Sequence, residues 1–201
     1  MFGRKLLVAL GVVPTALFAG YPVTAATAAD PVICAGQPAT IVVTAHSPYV
    51  VHGTGHRDII AVRDSGHVVR ARGGNDLVCG SGGHDMIYGG PGRDHLYGGR
   101  GNDTIHGGRG QDYINGGAQA DHLYGNAGPD RMLGTYGDDT MWGDYGDDHL
   151  YGGHGADHLY GGPDDDYVDG GIGIDVCDGG SGHDMMDTDG DMPDHHGGMY
   201  P

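Results

Sequence analysis

The chain has 201 residues, 43 of them Gly, and a formal net charge of −17; its 27 acidic residues are all Asp. Gly and Asp are depleted in helices and strands and enriched in turns, so long amphipathic helices past residue 30 are excluded and many turns joined by very short strands are expected. An acidic excess of this size disfavours nucleic acid, whose backbone is also anionic, and favours cations.

Residues 1–28 open with Arg4 and Lys5, continue with an apolar run from Leu6 to Gly20, and end in Ala26-Thr27-Ala28. That is the layout of a cleaved secretory signal peptide, and it points to a secreted, extracellular protein. Gly11 and Pro14 interrupt the run, which is too short for a membrane anchor, so no stable membrane insertion is expected after its removal. Its loss leaves eight Arg and 27 Asp, a net charge of 8 − 27 = −19.

In residues 29–70 the doublets at 42–43, 50–51, 59–60 and 68–69 carry a nine-residue period. Val42, Val51, Ile60 and Val69 share one phase. Only Asp58 continues the acidic position of the segment that follows; Thr40, Tyr49 and His67 stand in its place. These residues are expected to form an N-terminal cap of degenerate, metal-poor rungs. Cys34, Cys79 and Cys177 make an odd count for an exported chain, so one pair could close and leave a thiol. A Cys34–Cys79 bridge would tie cap to repeats, but it requires Cys34 to leave the frame. Cys177 holds an apolar position and is expected to be an inert core thiol.

Residues 71–187 repeat with a period of nine. With Asp at position 6, Asp76, Asp85, Asp94, Asp103, Asp112, Asp121, Asp130, Asp139, Asp148, Asp157, Asp166, Asp175 and Asp184 fall in phase without a gap. Position 1 is Gly from Gly80 to Gly179, position 4 is Gly except at Gln119 and Asp164, and position 8 is apolar throughout. Six Gly-rich residues make a turn; three residues around one apolar side chain make a short strand. One repeat reverses the chain, so two repeats complete a coil, and successive coils stack at about 4.8 Å. The position 8 side chains then meet between two parallel sheets. The Asp residues stack as columns that repel strongly without counter-ions, and hard oxygen ligands in high number suit calcium.

The pattern resembles the RTX, or hemolysin-type, calcium-binding nonapeptide repeat family. The resemblance implies an all-β, right-handed parallel β-roll, a two-sheet solenoid with two repeats to the coil, that binds several Ca²⁺ ions. It implies that each ion sits between turns two repeats apart, held by two Asp carboxylates and by the carbonyls of the Gly turns. Thirteen Asp in phase give 11 such pairs, from Asp76/Asp94 to Asp166/Asp184. The turn glycines so implicated are Gly80, Gly83, Gly89, Gly92, Gly98, Gly101, Gly107, Gly110, Gly143, Gly146, Gly152, Gly155, Gly170 and Gly173. Burying one aliphatic side chain per repeat does not offset the ordering of nine backbones, so ion binding and folding are expected to be one event.

Residues 188–201 lose the period and are expected to form a C-terminal cap or tail; "DTDGDMPD" lacks the glycine placement and closing Glu of an EF-hand. Position 9 of alternate repeats places Tyr88, His106, Tyr124, Trp142 and Tyr160 in one outward column. Such a ladder stabilises a sheet by cross-strand packing, or offers a surface to a glycan or cell-surface partner. His95, His122, His149 and His158 face solvent at position 7, no two of them on adjacent coils of one sheet, and read as surface residues. No nucleophile–His–acid set is placed in a pocket, so the protein is expected not to be an enzyme.

Overall fold

The computed structural model describes residues 33–44, 49–63 and 66–187. The signal peptide expected at residues 1–28 and the C-terminal cap or tail expected at 188–201 lie outside the described residues.

The nine-residue period becomes a two-sheet solenoid of about eight coils. An eight-stranded sheet runs from Val50–His52 to Val176–Ser181, and a nine-stranded sheet from Ile41–Val43 to Met185–Asp187. Both are parallel, and alternate repeats supply alternate sheets. Within the repeats each residue pairs with its equivalents two repeats before and after: Ile105 with Ile87 and Leu123, and Ile114 with Leu96 and Met132. Position in the chain is therefore position along the axis.

The core is a single file of position 8 side chains. From Val78 to Val168 every one of them is fully buried. Two residues away on the same face, the position 1 glycines from Gly89 onward are buried too, because the sheets close at the turn and leave no room for a side chain there. Cys177 is half-buried and Met186 is 40% exposed, since no further described coil covers them. The inert core thiol expected at Cys177 is thus a thiol at the end of the core, its pKa pushed up to about 11 chiefly by burial and then by nearby carboxylates.

The upstream rungs join the same roll. Val51, Ile60 and Val69 are core residues as their phase indicates. Val42 is not. The first rung pairs Ile41 with Ile60 and Val43 with Val62, one residue more than two repeats, so Val43 is buried and Val42 is half-exposed. One extra residue flips alternation within a strand, and the doublet Val42-Val43 hides the slip.

Cys34 leaves the frame. Ile33–Cys34 and Gln37–Pro38 form a small antiparallel pair at the N-terminal end, and Cys34 is bonded to Cys79. A second apolar cluster of Cys34, Ile59, Ala61 and Leu77 lies beside this bridge. The hairpin therefore covers that flank of the roll.

Candidate metal centre

Each position 6 Asp closes one turn and reaches across to the turn one coil earlier. The main-chain N–H of Asp76 donates to Asp94 Oδ1, that of Asp94 to Asp112, and that of Asp112 to Asp130, at 2.8, 2.8 and 2.7 Å. The chain of bonds runs from Asp58 to Asp184 along both edges of the roll. The frame alone does not show this: one carboxylate oxygen of each Asp is committed to the main chain.

The other oxygen is left over. Oδ2 of Asp76, Asp94, Asp103, Asp112, Asp121, Asp130, Asp139, Asp148, Asp157, Asp166 and Asp175 is buried without a hydrogen-bond partner. A buried acceptor left unpaired costs about 1–3 kcal/mol. Eleven in register are a built feature, not accidents of packing. Asp85 differs, because the N–H of Ser81 donates to its Oδ2 at 3.1 Å. Asp184, in the last described coil, is half-buried.

The position 1 glycines face these oxygens. A Cβ on Gly98 would stand 2.5 Å from Asp103 Oδ2 and 2.5 Å from the carbonyl oxygen of Gly116, one coil on. At Gly89 the same place lies 2.5 Å from Asp94 Oδ2 and 2.6 Å from the Gly107 carbonyl. Only glycine lets a carboxylate and a main-chain carbonyl share that space. The position 4 glycines have a different reason. Gly101, Gly110, Gly128 and Gly146 lie at φ of 119 to 129°, where L side chains are strained. Gln119 and Asp164 take the same region at 81 and 87°. Position 2 imposes the demand again: it is Gly in eight of the thirteen repeats, and Thr135 (φ 90°) and Asp144 (φ 69°) hold the same left-handed region with side chains.

Electrostatics of the turns follows from burial. Desolvation pushes Asp94 up to about 7 and Asp121 and Asp130 to about 8, neighbouring carboxylates add to the rise, and the main-chain N–H bonds oppose it. Asp139 and Asp148 are held at about 7, Asp103, Asp112, Asp157 and Asp166 at about 6. A group so displaced binds either a proton or a cation.

Among the described residues no three His, Cys or Asp side chains converge on one point. A metal here must draw on main-chain carbonyls as well as carboxylates. An all-oxygen set, one free oxygen per Asp and a carbonyl against it, fits a hard cation such as calcium and not a thiophilic one.

The family model described as RTX calcium-binding nonapeptide repeat (4 copies) matches residues 52–87, 88–123, 124–157, 142–177 and 154–186. The chain belongs to the RTX calcium-binding nonapeptide repeat family. No curated protein matches it. As an RTX protein it is a calcium-binding repeat protein of a structural family, and Ca²⁺ is its ion. The matched segments take in every orphaned Oδ2 described above.

The outward column is continuous in the RTX roll. Tyr88–His106, His106–Tyr124 and Tyr124–Trp142 stack at 4.8, 4.5 and 4.6 Å within 9° of parallel, and Trp142–Tyr160 at 5.9 Å. Arg70 caps the column, its guanidinium 4.9 Å from the Tyr88 ring centre. The ring faces are turned on one another, so what the column shows to solvent is mainly edges. His95, His122, His149 and His158 are exposed at position 7, as their frame position indicates.

Proposed function

We propose that this chain is a secreted RTX protein that folds on binding extracellular calcium between its stacked turns. The observation that carries the reading is the register of eleven buried, unpartnered Oδ2 atoms. Each ion draws on Asp carboxylates two repeats apart, Asp76 with Asp94 through Asp166 with Asp184, and on the carbonyls of Gly turns such as Gly107 and Gly116. The site at Asp85 is the weakest of the series, because Ser81 already occupies its free oxygen. Eleven ions would add 22 positive charges to a mature chain of −19. The acidic excess is therefore counter-charge for the ions. Without them the columns repel, and the glycine-rich chain has too little apolar surface to stay folded. Extracellular calcium modules bind at about 10⁻⁴–10⁻³ M, so the chain stays unfolded inside the cell and folds outside. In this reading residues 1–28 are the export signal, 29–70 the cap, 71–187 the calcium roll and 188–201 a terminal cap or tail. Circular dichroism of the mature chain during calcium titration, with magnesium as control, tests it. A cooperative gain of β signal with calcium alone is expected; a chain fully folded in chelator at pH 8 defeats it.

A second reading, a calcium-rigidified adhesion or matrix protein, is supported by the unbroken ladder from Tyr88 to Tyr160. A glycan or cell-surface partner would meet ring edges and hydroxyls there, and full ring faces only at the ends of the stack. Trp142→Ala should leave calcium-induced folding intact and abolish retention on glycan or on cells. Unchanged retention removes this reading.

A further inference from the structure

The charges outside the nine-residue frame are segregated along the axis. All eight arginines beyond the signal lie between Arg57 and Arg131, and all eight are exposed. Between residues 66 and 131 no Asp stands outside the frame; between 132 and 187 eight do, and no Arg or Lys accompanies them. Among the described residues the one ion pair is His183–Asp165, at 3.4 Å, and no arginine is in it.

The segregation is sharpest on one edge of the roll, where strands of the eight-stranded sheet turn into the nine-stranded sheet. Coil by coil, position 5 on this edge reads Arg93, Gln111, Pro129, Asp147, Asp165. Position 3 reads Pro91, Arg109, Ala127, Tyr145, Pro163. Both columns are complementary to their own reverse about the coil 125–130. Two shallow depressions flank this stretch: one of about 330 Å³ between Arg93 and Asp147, and one of about 540 Å³ between Arg109 and Tyr145. Tyr145 is 69% exposed there, and among the described residues no ring stacks on it.

We propose that this edge is a self-association surface, and that its partner is a second copy of the chain lying antiparallel along it. A two-fold axis at the coil 125–130, lying across the edge, carries each column onto its own reverse. Arg93 of one copy then faces Asp165 of the other, Gln111 faces Asp147, and the Arg109 guanidinium lies over Tyr145. Each contact occurs twice, as an isologous interface requires. Small Ala127 and Asn126 at the centre let the two edges approach. Position along each edge advances at the same coil spacing, about 4.8 Å, so the charges stay in step over five coils. The edge is narrow, so the dimer is weak, electrostatically selected and salt-sensitive. A polyanion would use the arginines but leave the acidic half and Tyr145 without a role. The two-fold arrangement gives a role to Arg93 and Arg109 and to Asp147, Asp165 and Tyr145.

The proposal rests on the calcium-folded roll, and circular dichroism of each sample separates loss of folding from loss of association. Sedimentation velocity of the full mature chain at about 100 μM in 5 mM CaCl₂ is the test. The wild type should sediment as a monomer–dimer equilibrium in 25 mM NaCl, its dimer fraction falling about fivefold or more by 500 mM. Arg93→Asp alone and Asp165→Arg alone should both be monomeric, because each sets like charges against each other. An equimolar mixture should regain the dimer, since the two reversed side chains then face each other in one contact and the unchanged Asp165 faces the unchanged Arg93 in the other. Tyr145→Ala should weaken the wild-type dimer. If either reversal impairs folding, Arg93→Gln and Asp165→Asn replace the pair and should both reduce the dimer. A monomeric wild type in low salt overturns the proposal, whether or not it is retained on a polyanion column. So does a dimer unmoved by salt and by Arg93→Asp, or a mixture that stays monomeric.

Discussion

The main-chain N–H of Asp94 donates to Oδ1 of Asp112, one coil later, at 2.8 Å, while Oδ2 of Asp112 is buried without a partner. One side chain thus has two separable tasks, joining coils through one oxygen and holding a cation through the other. Asp112→Asn keeps an acceptor for the Asp94 amide but removes the charge. It should lower the calcium affinity of the adjoining sites tenfold, which is about 1.4 kcal/mol, while the calcium-saturated roll still folds. Asp112→Ala loses both tasks and should also strip hydrogen-exchange protection from the amide of Asp94. Calorimetric calcium titration with exchange at Asp94 distinguishes them; equal effects of Asn and Ala would show that the two oxygens do not divide the work.

The raised carboxyl pKa values fix the pH dependence without metal. Their folded values of about 6 to 8 exceed the ordinary 3.8, chiefly through burial, so the metal-free roll binds protons that the unfolded chain releases. The contribution of these groups to its stability is then fully present below about pH 4 and is lost as pH rises to about 8. Calcium must displace those protons, so its affinity should climb over pH 6 to 8. In chelator the β signal should be larger at pH 4.5 than at pH 8. With calcium present the ordering should reverse. A metal-free chain more structured at pH 8 than at pH 4.5 contradicts the burial of these groups.

Much of the roll was legible in the sequence because 13 Asp in phase fix the register, and the position 8 side chains fix the core. What was not legible has local causes. At Val42 the doublet Val42-Val43 masks a one-residue step, because either valine satisfies an apolar position. At position 2, Thr135 and Asp144 adopt a positive φ that Gly in eight other repeats signals and their own side chains hide. The amide bond from Asp94 to Asp112 is invisible because a frame records which residue recurs and not which of its oxygens points where. The Cys34–Cys79 bridge was named from the sequence, but the departure of Cys34 from the frame that permits it comes from the hairpin at Ile33–Pro38, which has no repeat signature.

Thr135 is the strained turn most open to relief. It holds φ 90° with a β-branched side chain, and its hydroxyl makes a bond of 3.4 Å to Asn115. Left-handed φ at such a residue costs about 1–3 kcal/mol. Thr135→Gly should therefore raise the stability of the calcium-bound roll by about 1 kcal/mol, after the greater freedom of glycine in the unfolded chain is counted. Chemical denaturation at fixed free calcium measures it. A loss of stability would mean that the Asn115 bond outweighs the backbone strain.

The disulfide should act locally. Cys34 and Cys79 are 45 residues apart, and closing a loop of that length stabilises by up to about 4 kcal/mol. A solenoid transmits stability only between neighbouring coils. Cys34→Ser with Cys79→Ser should therefore open the rungs at Ile59–Val62 and Leu77–Cys79 and leave those at His149–His154 and His158–Pro163 protected. In the doubly substituted chain, calcium should still fold the later coils at nearly the same concentration, because their Asp ladders and core do not touch the hairpin. Hydrogen exchange with mass spectrometry reads both ends at once. Uniform loss of protection from Ile59 to Pro163 would show that the roll unfolds as one unit and that the hairpin nucleates it; loss confined to the first coils would show that the bridge secures one end of a fold built coil by coil.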